Sequence, residues 1–256
     1  MKDRIDKVLE ILARTGYRSV AELSGDLAVS EMTVRRYLDK LDERALIKRT
    51  HGGAFAGQEM IEVDYRVRET VRRAEKEAIG RAAWALVQPG ESIFIDAGST
   101  AAHLALAMDD TRRITVVTSS TTVVQALEGK ANIETIVLGG KVHAASHSVI
   151  GHLAEVAVQQ FRFTKAFLGT VGINLREGFT QSNVDEVPVK KQAAANSREV
   201  IVLADSSKFD QDVLFLFLRL DQVHTIITDS GVLPAHRVAM EEKGIRLVVA
   251  EPGRQD

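Results

Sequence analysis

A two-part α/β chain is what the 256 residues predict, and three observations carry the prediction. The first 55 residues hold three helix signatures and then a short basic run broken by glycines. From about residue 92 the pattern changes to short β-rich runs alternating with helical stretches. Between the two lies a polar, heavily charged segment, residues 57–75 (GQEMIEVDYRVRETVRRAE). The expectation is a small domain over 1–57, a linker and the start of a helix over 58–75, and a larger α/β domain over 76–256.

In the first part, Ile5, Val8, Leu9 and Leu12 recur at i, i+3, i+4 and i+7, the spacing of one apolar helix face. Gly16 ends that helix. Ser19 and Glu22 stand three apart and form a capping box, each side chain satisfying an orphan N–H of the other's turn. Val20, Leu23 and Leu27 continue as a second helix, and Ser30 caps a third. Along the third, Val34, Leu38, Leu41 and Ala45 make the apolar stripe, so Met32, Thr33, Arg36 and Lys40 fall on the far side with Arg35 on a flank. After it, IKRT, HGG and AF read as strand, turn and strand, a small basic wing. Three helices and a wing make a winged helix-turn-helix, whose third helix suits a DNA major groove. Arg bonds guanine edges bidentately there, and Thr or Met touches a thymine methyl. The residues assigned to the duplex are Ser30, Met32, Thr33, Arg35, Arg36, Lys40, Lys48, Arg49 and His51.

In the second part, Ile79, Ala82, Ala83 and Leu86 form the face of a helix that Pro89-Gly90 stops. Strands are predicted at 92–95, 114–117, 133–138, 166–168, 200–204, 225–228 and 246–249. Helices are predicted at 100–108, 121–128, 153–160, 187–197 and 234–242. That alternation implies a mostly parallel sheet with helices on both faces.

Composition narrows the function. Hydrophobic residues are 45% and charged residues 27%, ordinary for a globular protein. There is no Cys, hence no disulfide framework and no thiolate metal site. The charged N-terminal helix lacks the apolar core of a secretory signal, and no run approaches a membrane span, so a cytoplasmic protein is expected. The net charge is −2, but residues 1–56 carry 11 Lys+Arg against 9 Asp+Glu, while the rest carries 22 against 26. The modest basic excess lies on the third helix and wing, where nucleic acid would be met.

In an open α/β sheet, ligands sit beyond the carboxyl ends of the strands. Several polar turns fall there: Asp96-Ala97-Gly98-Ser99-Thr100, Thr118-Ser119-Ser120-Thr121-Thr122, Leu138-Gly139-Gly140, Gly169-Thr170-Val171-Gly172 and Asp205-Ser206-Ser207-Lys208-Phe209. Lys190 lies in the first turns of a helix. Taken singly, each is ordinary capping chemistry. Together they suit a phosphorylated small molecule, with Asp96, Asp185, Glu186 or Asp205 available for sugar hydroxyls. Neither a Walker lysine pattern nor GxGxxG is present, which disfavours nucleoside triphosphates and dinucleotides. His143, His147 and His152 lie close in sequence and His103 on a helix, but without HExxH or Cys no metal site is expected. Trp84, Phe209 and the run Val213–Leu218 read as packing or subunit contact.

Quoted in order, VSEMTVRRYLDKLDERALIKRTHGGA, EKEAIGRAAWALVQPGESIFIDAGSTAAHLA, VVTSS, VLGG, FRFTKAFLGTVGI, GFT, EVPVKK and LADSSKF resemble the DeoR family of bacterial transcriptional regulators over nearly the whole chain. The resemblance implies a winged helix-turn-helix joined to a sugar-phosphate sensor similar in fold to ribose-5-phosphate isomerase and the CoA transferases. It implies repression of a sugar or polyol catabolic operon, double-stranded operator DNA and a phosphorylated sugar as partners, and a homo-oligomer, dimer or tetramer. By the family pattern the effector positions are Asp96, Gly98, Ser99, Thr100, Thr118, Ser119, Gly139, Gly140, Lys190, Asp205 and Lys208. No cofactor, catalytic residue or membrane contact is implied. Three departures stand out: Tyr37 where the family usually has Asp, expected to alter a helix-to-backbone contact or the operator sequence preferred; Ala45 for the usual Gly, at a helix C-terminus; and Thr164 for the usual Asp, at an edge of the pocket. The competing reading is a sugar-phosphate isomerase with a helical accessory domain, drawing a carboxylate base from Asp185, Glu186 or Asp205.

Overall fold

The computed structural model describes residues 2–15, 17–44, 46–49, 53–55 and 65–251. The chain divides into two compact units, Met1–Val71 and Arg72–Asp256.

In the first unit the apolar spacing produces α1 (Lys2–Thr15), α2 (Val20–Leu27) and α3 (Glu31–Asp42). The capping box forms: Ser19 Oγ accepts from the Glu22 N–H at 3.2 Å, and Glu22 Oε2 accepts from the Ser19 N–H at 2.8 Å. Ala28 closes α2 in the left-handed region, φ 51°, a conformation disfavoured by about 1–2 kcal/mol for an L-residue. Val8, Leu12, Leu23, Val34, Leu38 and Leu41 meet in the core, each fully buried. Burying each of the leucines contributes about 1.5–3 kcal/mol. Tyr37 joins them at 4% exposure. The Tyr37 side chain thus lies in the packing of α3. The wing is larger than the two strands expected. β1 (Tyr17–Ser19) pairs antiparallel with β3 (Gly53–Phe55), which pairs with β2 (Lys48–Arg49). A short α4 (Tyr65–Thr70) closes the unit. Ala45 and His51 lie outside the described residues.

The second unit opens with α5 (Arg73–Ala85) and is built on seven parallel strands. In chain order they are β4 (Ser92–Ile95), β5 (Ile114–Thr118), β6 (Ile133–Val137), β9 (Phe163–Gly169), β12 (Ser197–Leu203), β14 (Thr225–Asp229) and β15 (Arg246–Ala250). Their spatial order is β15-β14-β12-β9-β4-β5-β6. The chain therefore starts in the middle at β4, moves out to β6, and returns to the other side of β4 with β9. Alternate residues of each strand enter opposite cores. Ile93, Ile95, Phe167, Ile201 and Leu203 face one, with Ile79 of α5, Leu104 of α6 (Ser99–Ala107) and Val123 of α7 (Thr121–Leu127). Phe94, Ala166, Leu168, Val200 and Val202 face the other, with α8 (His152–Gln159), α9 (Val187–Ala195) and α10 (Pro234–Glu242). Burial on both faces explains why these strands read as continuous apolar runs.

Gly80 lets α5 and α6 touch: a Cβ there would lie 2.3 Å from the His103 carbonyl oxygen. Two small sheets escaped the sequence reading. One is the hairpin β7 (Lys141–His143) and β8 (Ser148–Ile150). The other is antiparallel, β10 (Gly172–Asn174), β11 (Gly178–Gln181) and β13 (Phe215–Arg219). The run 213–218, expected to be packing or subunit contact, carries most of a strand. Thr164 also lies elsewhere than expected. Its Oγ1 donates to the Ser92 carbonyl at 2.8 Å, at the amino end of the sheet. Five residues of strand, about 16 Å, separate it from the carboxyl rim. Among the described residues no helix is long and apolar enough to cross a membrane.

Candidate functional site

The first unit presents α3. Ser30 caps it, its Oγ accepting from the Thr33 N–H at 3.3 Å and lying 3.0 Å from Thr33 Oγ1. Met32 is 81% exposed. Arg35 and Arg36 are exposed, Thr33 and Lys40 half-buried. Arg35 is drawn to Glu31 one turn back, at 3.6 Å. Lys48 and Arg49 lie on the wing strand β2. An exposed Met and two Arg beside an apolar stripe locked into a core is a surface that can enter a groove.

The second unit gathers its polar residues at the carboxyl rim of the sheet. The strand order reverses between β4 and β9, and the carboxyl rim at such a reversal is the position where open α/β sheets bind ligands. Asp96 follows β4 and is 2% exposed. Its Oδ2 accepts from the Gly169 N–H, which ends β9, at 2.9 Å, and from Lys190 Nζ of α9. Lys190 also donates to the Gly169 carbonyl at 2.8 Å and stands over the Phe217 ring. One lysine thus ties the two strands flanking that reversal. Burial pushes the Asp96 carboxyl up, against the pull of Lys190 and the Gly169 N–H; Glu186 pushes it further.

Beside Asp96, Gly98 opens α6 at φ 143°, a backbone that L side chains rarely adopt. No side chain caps this helix, so its first N–H groups face the rim, with Ser99 and Thr100 in its first turn. Thr118 is committed to the backbone: its Oγ1 donates to the Ile95 carbonyl at 2.7 Å and accepts from the Ser120 N–H. Ser119 accepts the Val149 N–H through its carbonyl, which fixes hairpin β7–β8 against the rim.

Not all the predicted positions meet. Gly139 and Gly140 follow β6, and Asp205 follows β12; these strands are four positions apart, about 19 Å, more than one small molecule spans. Gly140 turns the chain tightly, since a Cβ there would lie 2.7 Å from the Ile150 carbonyl. Asp205 and Lys208 belong to a second group, around Arg72. The Arg72 guanidinium lies 3.3 Å from Asp205, 3.2 Å from Asp229 and 2.8 Å from Ser206 Oγ. Burial raises the Asp205 carboxyl, but Lys208, the Ser207 hydroxyl, Arg72 and Lys76 together hold it below the usual range.

Sequence reasoning missed Arg72, Gln181 and Ser148. Arg72 sits in a run of charges that reads as solvated linker. Gln181 and Ser148 lie on strands of three or four residues with no periodic signal. Glu186, noted as a carboxylate for sugar hydroxyls or as a candidate base, is buried, and it accepts from Ser148 Oγ at 3.0 Å and from Gln181 Nε2. Of the four histidines singled out above, His103 is buried in α6 and His143 Nδ1 lies 3.0 Å from Ser146 Oγ.

Comparison with known proteins accounts for both units. Residues 4–59 match the DeoR-like helix-turn-helix domain, and residues 71–230 the DeoR C terminal sensor domain. The chain is 34% identical to an uncharacterized HTH-type transcriptional regulator, YulB, of Bacillus subtilis, over 96% of this chain and 95% of that protein. It is 33% identical to the lactose phosphotransferase system repressor of Lactococcus lactis, over 92% of this chain and 93% of that protein. It is 31% identical to the transcriptional repressor AccR of Agrobacterium fabrum, over 97% of each. Among solved structures, ribose 5-phosphate isomerase A of Neisseria gonorrhoeae aligns over 52% of each chain, with TM-score 0.39 and 18% identity. A probable sor operon regulator of Shigella flexneri aligns over 70% of this chain and 85% of that one, with TM-score 0.41 and 9% identity.

Proposed function

Because the chain belongs to the DeoR family of transcriptional regulators, DNA-binding proteins rather than enzymes, we propose that it represses a sugar or polyol catabolic operon and is released by a phosphorylated sugar bound at the carboxyl rim between β4 and β9. The observation that carries this reading is the meeting of Asp96, Lys190 and the uncapped start of α6 at the reversal of strand order. A helix N-terminus presents N–H groups and a positive dipole end to an anion. The phosphate is assigned to the amides of Gly98, Ser99 and Thr100. The relationship to the lactose phosphotransferase system repressor supports a sugar as the rest of the effector.

On the DNA side, Arg36, Met32 and Thr33 read base edges, and Ser30, Arg35, Lys40, Lys48, Arg49 and His51 contact the sugar-phosphate backbone or the flanks. Two copies in a homodimer or tetramer, in the cytoplasm, would place two such helices on half-sites one or two helical turns apart. The effector lowers DNA occupancy only to the extent that it binds the DNA-free state more tightly. The test is a thermal-shift screen with sugar and polyol phosphates, followed by competition against duplexes from the gene's own upstream region. A ligand that binds the folded protein raises the midpoint, and it should also release the duplex. A folded protein that ignored every such duplex at low salt would end this reading.

A further inference from the structure

Gln181 is 6% exposed, and its two amide ends have different fates. Its Nε2 donates to Glu186 Oε2. The amide nitrogen faces the carboxylate oxygen, which leaves the amide oxygen as the other end. Its Oε1 is buried and meets no donor among the described residues. A buried acceptor without a partner is unfavourable and is rare in native structures.

The orphan belongs to a larger group. Glu186 uses one acceptor position on each oxygen, for Ser148 and Gln181, and a carboxylate offers about four. Glu186 and Lys190 are four residues apart at the start of α9, so they share a face of that helix. Lys190 in turn holds Asp96, whose charge Glu186 is near enough to oppose. The group is therefore contiguous with the Asp96–Lys190 pair at the reversal of strand order. Its one ammonium is already committed to Asp96, the Gly169 carbonyl and the Phe217 ring. What remains open is acceptors: Gln181 Oε1 and the second positions on Glu186.

We propose that Gln181, Glu186 and Ser148 form the subsite that reads the carbon chain of the effector, and that it takes a chain rich in hydrogen-bond donors, the hydroxyls of a sugar or polyol phosphate, and turns away one ending in a carboxylate. This rests on the reading that a phosphorylated sugar is the effector. A hydroxyl can donate to Gln181 Oε1 and to Glu186. A carboxylate brings only acceptors and a second negative charge to a group whose donors, Ser148 Oγ, Gln181 Nε2 and Lys190 Nζ, are already engaged. Hairpin β7–β8, which carries Ser148, walls the subsite: it is held by the Ser148 bond to Glu186, the bridge from Ser148 to Ser120, and the contacts of Val149 and His147 with Ser119 and Thr121.

The experiment is a set of thermal melts of the full chain with inorganic phosphate, pentitol and hexitol phosphates, aldose phosphates, and the aldonate phosphates of the same carbon skeletons. At least one hydroxyl-only compound should bind about tenfold or more tightly than its matched aldonate, as expected where buried polar groups would be left unmatched. Gln181→Met should remove most of that discrimination and leave the response to inorganic phosphate unchanged; Ser148→Ala serves if Gln181→Met does not fold. Equal binding of matched polyol and aldonate phosphates by the unaltered protein overturns the subsite, as does a Gln181→Met protein that weakens inorganic phosphate and polyol phosphate alike. If phosphate and every phosphorylated sugar leave the midpoint unmoved, the effector reading itself falls, and the subsite with it.

Discussion

Arg72 and Asp205 lie 3.3 Å apart, and Arg72 is the residue with which the second unit begins. It takes a left-handed backbone, φ 53°, which is strained for an Arg. The same guanidinium reaches Asp229 and Ser206, so it ties the entry to α5 to the ends of β12 and β14. Strain at one residue is held by three side-chain partners more than 130 positions away in sequence.

Removing that clasp should be felt in stability. Both acids are 2% exposed at their side chains, while Arg72 is 25% exposed, so solvent screens the pairs in part. Breaking a fully buried pair costs about 3–5 kcal/mol, and the screening brings the expectation for Arg72→Gln to about 1–3 kcal/mol. Urea unfolding measures it; an unchanged midpoint would mean that the clasp is only a surface contact.

The two buried aspartates should respond oppositely to pH. Asp205 is held below the ordinary carboxylate value of about 4. Its contribution to stability is therefore full above that ordinary value and is lost as pH falls through its own lower one. Asp96 is pushed up by burial, so its ionisation weakens the fold as pH rises from the ordinary value toward its own. Asp205→Asn should flatten the acid limb of a stability–pH curve, and Asp96→Asn should flatten the limb above about pH 4. A curve for Asp205→Asn as steep in acid as that of the parent would contradict this.

The Asp96–Lys190 pair is nearly sealed, with side chains 3% and 2% exposed. Asp96→Asn or Lys190→Met alone should cost about 3–5 kcal/mol, because each leaves the other buried and unbalanced. The double variant should cost clearly less than the sum, since the two residues touch. Additive losses would show that the residues do not depend on each other.

On α3, Arg36 is exposed, and Arg35 is partly engaged by Glu31. Arg36→Ala should weaken operator binding by about 1–3 kcal/mol and relax the choice of one base, while Lys40→Ala should weaken all duplexes alike and reduce the salt slope by about 1. Binding curves on an operator and on single-base variants at several salt concentrations separate the two; an Arg36→Ala protein with unaltered base preference would place the reading face elsewhere.

Gly80 offers a test of the packing alone. A methyl there would meet the backbone of α6 at 2.3 Å, and a backbone cannot rotate aside as a side chain can. Gly80→Ala should cost about 1–3 kcal/mol, read as a lowered melting midpoint. A neutral substitution would mean that α5 and α6 are less tightly apposed.

Much of this protein is written locally. The Ile5-to-Leu12 spacing, the Ser19–Glu22 box and the Ser30 cap specify their helices, because each depends on residues within one or two turns. The seven strands of the large sheet show as apolar runs because both faces are buried, and the quoted motifs identify the family. Tertiary structure decided what locality cannot encode. Strands of two to four residues, such as β1, β7 and β8, exist only because a partner supplies their hydrogen bonds. An apolar stripe reports that a face is covered, but not by what: Tyr37 turned inward, and Thr164 fell at the wrong end of the sheet for a pocket. The contacts among Asp96 and Lys190, Arg72 and Asp205, or Gln181 and Glu186 follow from strand order and helix docking. Those are set by the packing of whole elements, which no single stretch of sequence contains.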